Sequence, residues 1–86
     1  MPIADKRTAD ITATQGGVMP DEVGVVTGEL TLLAELDDAL KVALKVQYKD
    51  ADEWYTVTNG HCQLVDAKDL EAVMALTVGL LNRPEG

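Results

Sequence analysis

Leu40–Tyr48 reads LKVALKVQY and alternates without a break. Leu40, Val42, Leu44, Val46 and Tyr48 fall on one side; Lys41, Ala43, Lys45 and Gln47 fall on the other. Successive side chains of a strand point to opposite faces, so this period of two predicts a half-buried β-strand. Residues 29–36 alternate in the same way, with Leu30, Leu32, Ala34 and Leu36 facing inward and Leu33 the one departure. A rival reading makes residues 29–47 helical, which would give a two-helix α+β domain. The segment has no Gly or Pro, is rich in Leu, Ala, Glu and Lys, and carries acids early and bases late, as a helix dipole favours. That helix would set Asp37 and Lys41 beside Leu30, Leu44 and Tyr48, so strands are the better reading.

Turn chemistry then sets an expected register. DADE (50–53) as a four-residue loop pairs Lys49 with Trp54, Tyr48 with Tyr55 and Val46 with Val57. Asn59–Gly60 is the strongest short hairpin signal; as a two-residue turn it pairs Thr58 with His61 and Val57 with Cys62. Both hairpins turn Leu44, Val46, Tyr48, Tyr55, Val57, Cys62 and Leu64 inward, and a one-residue slip would reverse a strand's faces. Between the first two strands, a three-residue loop sets Glu35 against Lys41 and asks for a left-handed residue at Ala39. Asp66 caps a helix over residues 67–82 whose apolar stripe is Leu70, Val73, Met74, Thr77, Val78, Leu80 and Leu81, ended by Asn82 and Pro84.

The expected fold is α+β: an antiparallel meander of three to four strands (about 23–36, 40–49, 54–58 and 61–65) packed by one C-terminal helix (about 67–82). Residues 1–22 are polar, with Gly16–Gly17 and Pro20, and read as a loosely ordered arm with a short strand near Ile11–Thr14; residues 23–86 read as a single small α+β domain. With 86 residues the chain buries only roughly 60% of its unfolded surface. With no Phe, the core must be aliphatic.

Composition narrows the function classes. Fifteen acids against seven Lys and Arg leave a net charge of −8, which repels phosphates and argues against direct nucleic-acid binding. The same charge fits a basic protein partner. One Cys forms neither an internal disulfide nor a Cys-based zinc site. No apolar run approaches 18 residues and no secretion signal is visible, so the expected location is cytoplasmic, away from the membrane.

Tyr48–Cys62 gathers every aromatic residue, the one His and the one Cys, and so suggests an active site. Strand parity dissolves it. His61 and Cys62 point to opposite faces, which leaves Cys62 as a small core residue and His61 in solvent. Asp50, Asp52 and Glu53 lie at the opposite end of the strand from His61, and DADE lacks the Gly and distant Glu of a calcium loop. No phosphate loop, catalytic triad or dinucleotide fingerprint is present, and an aliphatic core this small leaves little room for a ligand pocket. The chain therefore reads as a non-enzyme without catalytic, metal or cofactor residues.

Two surfaces fit binding. On the outer sheet face, Lys45, Lys49, Thr56 and His61 share a stripe with Lys41 and the one Trp, and Trp54 is the candidate partner-binding anchor. On the back of the helix, Ala72, Ala75 and Gly79 lie together beside Leu76, a small-residue strip that suits close approach and a symmetric homodimer. The expected function is a small acidic protein-interaction module, an inhibitor or adaptor docking on a larger basic partner. Asp37, Asp38, Asp50, Asp52 and Glu53 would steer that partner. The alternatives are a nucleic-acid-mimicking inhibitor and a self-associating structural subunit; turn-clustered carboxylates fit the mimic poorly.

Overall fold

The computed structural model describes residues 3–83. The alternating stretches form strands: β1 Ile3–Val18, β2 Val26–Asp37, β3 Lys41–Tyr48 and β4 Tyr55–Gln63, antiparallel in the order β1-β2-β3-β4. A short 3-10 turn (Ala67–Asp69) leads into the helix α1, Leu70–Leu81. The chain is thus an α+β meander packed by its C-terminal helix, and residues 29–47 are two strands joined by a turn, not a helix.

The inward faces of β2 and β3 follow the alternation. Leu30, Leu32, Ala34, Leu36, Val42 and Val46 are each at most 2% exposed, and Leu44 is 9% exposed. The register is Leu30↔Tyr48 through Leu36↔Val42. The connection is a three-residue loop, Asp38–Leu40, one position later than expected, so Glu35 faces Ala43 rather than Lys41. Its left-handed residue is Leu40 (φ 63), not Ala39. Asp37 holds the turn: its Oδ1 accepts from the Ala39 N–H at 2.8 Å and the Lys41 N–H at 3.0 Å.

The expected loose arm is instead a sixteen-residue edge strand, at least over its described residues. β1 alternates too: Ala9, Ile11 and Ala13 face the core, while Lys6, Thr8, Asp10 and Thr12 face out. Ile11 is 4% exposed and Ala13 1%. Two of those inward residues are alanines, so the strand looks merely polar by composition. Near its end four residues (14–17) oppose only Thr27. Gly16 (φ 79) and Gly17 (φ 53) take left-handed conformations there. A Cβ on Gly17 would lie 2.5 Å from the Val26 carbonyl oxygen.

This bulge sends the chain across to the free edge of β4. Pro20 pairs with Val57 in an antiparallel bridge. The Asp21 N–H donates to the Thr56 carbonyl at 2.8 Å, and the Thr58 N–H donates to the Met19 carbonyl at 2.8 Å.

The Asn59–Gly60 hairpin does not form. The expected strands 54–58 and 61–65 are one strand, β4, which pairs with β3 on both sides of a bulge: Val46↔Tyr55 and Lys45↔Thr56, then Ala43↔His61 and Val42↔Cys62. Residues 57–60 oppose Leu44 alone. Asn59 supplies the left-handed conformation (φ 61), so the dipeptide's turn tendency goes into the bulge. Gly60 is needed for space: a Cβ would stand 2.9 Å from Leu44 Cβ and 3.1 Å from Val57 Cβ.

Asp66 caps the 3-10 turn by accepting from the Lys68 N–H at 2.9 Å. α1 buries Leu70 and Met74, and Val73, Val78 and Leu81 pack half-buried against the core. Its C-terminal end is tied to β1: Asn82 Oδ1 accepts from the Thr12 N–H at 2.9 Å, and the Arg83 N–H donates to the Thr12 carbonyl at 2.7 Å. Pro84, expected to help end the helix, lies outside the described residues.

Candidate functional site: the exposed face of the helix

The outer-face residues do not assemble as one stripe. Lys45 and Thr56 are cross-strand neighbours, but both are engaged within the chain. Lys45 Nζ pairs with Glu35 Oε1 at 3.0 Å. Thr56 gives its N–H to Glu22 Oε1 at 2.8 Å and its hydroxyl to Glu22 Oε2 at 2.9 Å. His61 is exposed opposite Ala43, separated from Thr56 by the whole bulge. Lys49 and Trp54 flank the β3–β4 turn, just outside the two strands, and Trp54 is 36% exposed. The Lys49 N–H donates to the Glu29 carbonyl at 3.0 Å. Glu22, which occupies Thr56, was not anticipated. It sits 34 residues from Thr56 in sequence, in a stretch without periodicity, so no local signal points to it.

Cys62 and Tyr48 depart from their expected burial. Cys62 pairs with the buried Val42 and so belongs to the inner face, yet its side chain is exposed. Tyr48 is 42% exposed. Both follow from where α1 sits. The helix packs closely on β1 and reaches β2 less, leaving the β3–β4 side of the inner face partly open. A cleft of about 180 Å³ remains there, lined by Val42, Leu44, Asn59, Gly60, His61, Cys62, Val73 and Thr77. His61 and Cys62 both line it, but as successive ladder residues they turn their side chains to opposite faces of the sheet, so thiol and imidazole do not face one another. Among the described residues no three His, Cys, Asp or Glu side chains are grouped to hold a metal ion. No helix among them is long and apolar enough to cross a membrane.

Among the described residues two ionisable groups are shifted, both chiefly by short-range hydrogen bonds. The Lys6 N–H, and secondarily the Arg7 guanidinium, hold the Asp5 carboxyl below its ordinary range. The hydrogen bond from the Tyr55 hydroxyl to Glu53 Oε1 (3.0 Å) raises the Tyr55 phenol.

The coherent surface is the back of α1. Ala72, Ala75, Leu76 and Gly79 are all exposed along it. Leu80, expected on the buried stripe, joins them: Leu76 and Leu80 are each 65% exposed. The helix, LEAVMALTVGLL, carries one charged residue, Glu71. A helix apolar on every side is normally buried on every side, whereas this one is covered only toward the sheet. Gly79 has no packing reason within the chain, because a Cβ there would meet nothing within 4 Å. Asp66, Asp69 and Glu71 place carboxylates around the N-terminal end of this face, with Lys68 the one cation among them. No family model matches the chain, and neither a curated protein nor a solved structure matches it.

Proposed function

We propose that this chain is a non-enzymatic interaction module, an adaptor or inhibitor that docks on a larger protein through the back of α1. The observation that carries the reading is the exposure of Leu76 and Leu80, 65% each, on a helix with a single charge. The docking mode is helix-in-groove: Leu76 and Leu80, one turn apart, are the anchors, and Ala72, Ala75 and Gly79 let the partner's backbone approach. The partner's groove is apolar with a basic rim, which faces Asp66, Asp69 and Glu71 and is drawn in by the net charge of −8. Trp54 is peripheral in this reading, since Lys45 and Thr56, two of the residues expected to share its surface, are bonded within the chain.

A photo-crosslinking residue at Leu80 tests this in extract from the source cells, with the same residue at Thr31 on the outer sheet face as control. The expected result is an adduct at Leu80 heavier than two copies of the chain, lost with Leu76→Asp and absent at Thr31. Adducts at Thr31 and none at Leu80 would overturn the assignment.

A further inference from the structure

β1 is an edge strand, and its outer edge is occupied at both ends. Thr12 gives its N–H to Asn82 Oδ1 and receives the Arg83 N–H on its carbonyl. Its main-chain groups therefore point away from β2. In an antiparallel ladder this direction alternates, so Asp10, Thr8 and Lys6 also point outward. Lys6 agrees: its N–H donates to Asp5 Oδ1 at 2.8 Å, and its carbonyl accepts from Arg7 Nη1 at 2.8 Å. The same Arg7 nitrogen is 2.8 Å from Asp5 Oδ1, closing a clip over Lys6. Among the described residues, nothing bonds the outward N–H and C=O groups of Thr8 and Asp10.

We infer that this edge receives a second copy of the chain, added antiparallel about a twofold axis at Thr8. The regular stretch before the capped Thr12, residues 5–11, begins after the irregularity that follows Ile3, and Thr8 is its centre. That register sets Thr8 against its own copy and Lys6 against Asp10 of the other copy, twice by symmetry. Opposite charges directly across a strand pair stabilise it, and like charges there do the reverse. Centring on Ala9 would set Lys6 against Thr12, whose main-chain groups Asn82 and Arg83 already hold; centring on Thr8 sets only the small Ala4, in the irregular start of the strand, against it. Centring on Asp10 would oppose two carboxylates. Centring on Arg7 would set Lys6 against Thr8 and lose the opposite-charge pair, so the Thr8-centred register is the one in which the edge is self-complementary in charge, which suits an isologous pair. The pairing supplies about six main-chain hydrogen bonds and joins two four-stranded sheets into one. The Asp5–Arg7 clip competes with it, because Lys6 must release both partners to bond across the axis. A strip this narrow falls below about 1,200 Å² of buried surface, so the dimer is weak and concentration-dependent.

The inference does not rest on docking through α1, and separate variants test the two. Sedimentation equilibrium at concentrations up to about 1 mM and physiological salt is expected to show a monomer–dimer equilibrium. Thr8→Pro removes an outward N–H that the fold does not use and places a ring on the edge. It should weaken dimerisation at least about tenfold with the melting temperature kept. Lys6→Asp should weaken it, Lys6→Asp with Asp10→Lys should restore it, and Asp5→Ala, which opens the clip, should strengthen it. A chain that stays monomeric throughout, in wild type and Asp5→Ala alike, would overturn the inference. So would a dimer that survives Thr8→Pro, or one lost only with Leu76→Asp.

Discussion

Pro20 and Val57 form an antiparallel bridge although 37 residues of chain separate them, and the bridge joins the end of the first strand to the free edge of the last. Glu22 fastens it by accepting both Thr56 hydrogen bonds, and Asp21 Oδ1 accepts from the Thr58 hydroxyl at 2.6 Å. These bonds are exposed, so each contributes less than a buried charged hydrogen bond would. Glu22→Ala should cost about 1 kcal/mol in urea unfolding and speed amide exchange at Thr56 and Thr58. Unchanged exchange at both would mean that the strap holds without Glu22.

Gly60 is required by volume. Gly60→Ala should destabilise the protein by about 1–3 kcal/mol, the usual cost of overpacking, because the new methyl group meets Leu44 and Val57. Nuclear Overhauser contacts should link Thr56 to Lys45 and His61 to Ala43 in one molecule, since both halves of β4 lie along β3. A contact between Thr58 and His61 across a tight turn would instead restore the hairpin.

The difference between the legible and illegible parts of this fold is one of range. Leu40–Tyr48 could be read because a period of two is a local property, and the turns on either side of β3 kept its faces even where pairing shifted by two positions. Asn59–Gly60 misled because a left-handed residue serves a bulge as well as a turn; the choice depends on whether β3 extends far enough to hold both halves. β1 was hidden because its core face uses Ala9 and Ala13. The candidate site was legible at Ala72, Ala75, Leu76 and Gly79 as residue types with no evident packing role. Leu80 was not, because helical spacing alone does not show how far the sheet covers the helix.

Cys62 should react readily in the folded protein. Its thiol is exposed on the uncovered part of the inner face, so a disulfide reagent should titrate it without denaturant. Unfolding should speed the reaction by less than about tenfold, since burial is the main protection a structural thiol has. Complete protection in the native state would mean that α1 reaches across β3 and β4.

The Asp5 carboxyl should titrate below the ordinary aspartate range, and Arg7→Ala should move it only part of the way back. The larger lowering comes from the Lys6 N–H, which that substitution leaves in place. Because the folded value is depressed, the clip's contribution is present above the unfolded aspartate pKa and is lost as pH falls through the folded one. Carboxyl-carbon NMR on both proteins checks this; a full return in Arg7→Ala would make the guanidinium the main cause.

Gly79 separates stability from docking. Within the chain a methyl group at this position touches nothing, and the backbone is not left-handed, so Gly79→Ala should stabilise the isolated protein by about 0.5–1 kcal/mol through helix propensity and a less mobile unfolded chain. On the docking surface the same methyl group stands where the partner's backbone approaches Ala72 and Ala75, so crosslinking from Leu80 should fall while the melting temperature rises. A glycine kept for its small size rather than for its conformation is expected to show this opposition. If Gly79→Ala raised stability and left crosslinking unchanged, the partner would contact Leu76 and Leu80 without closing on the small-residue strip. The anchor residues would then carry the interaction alone.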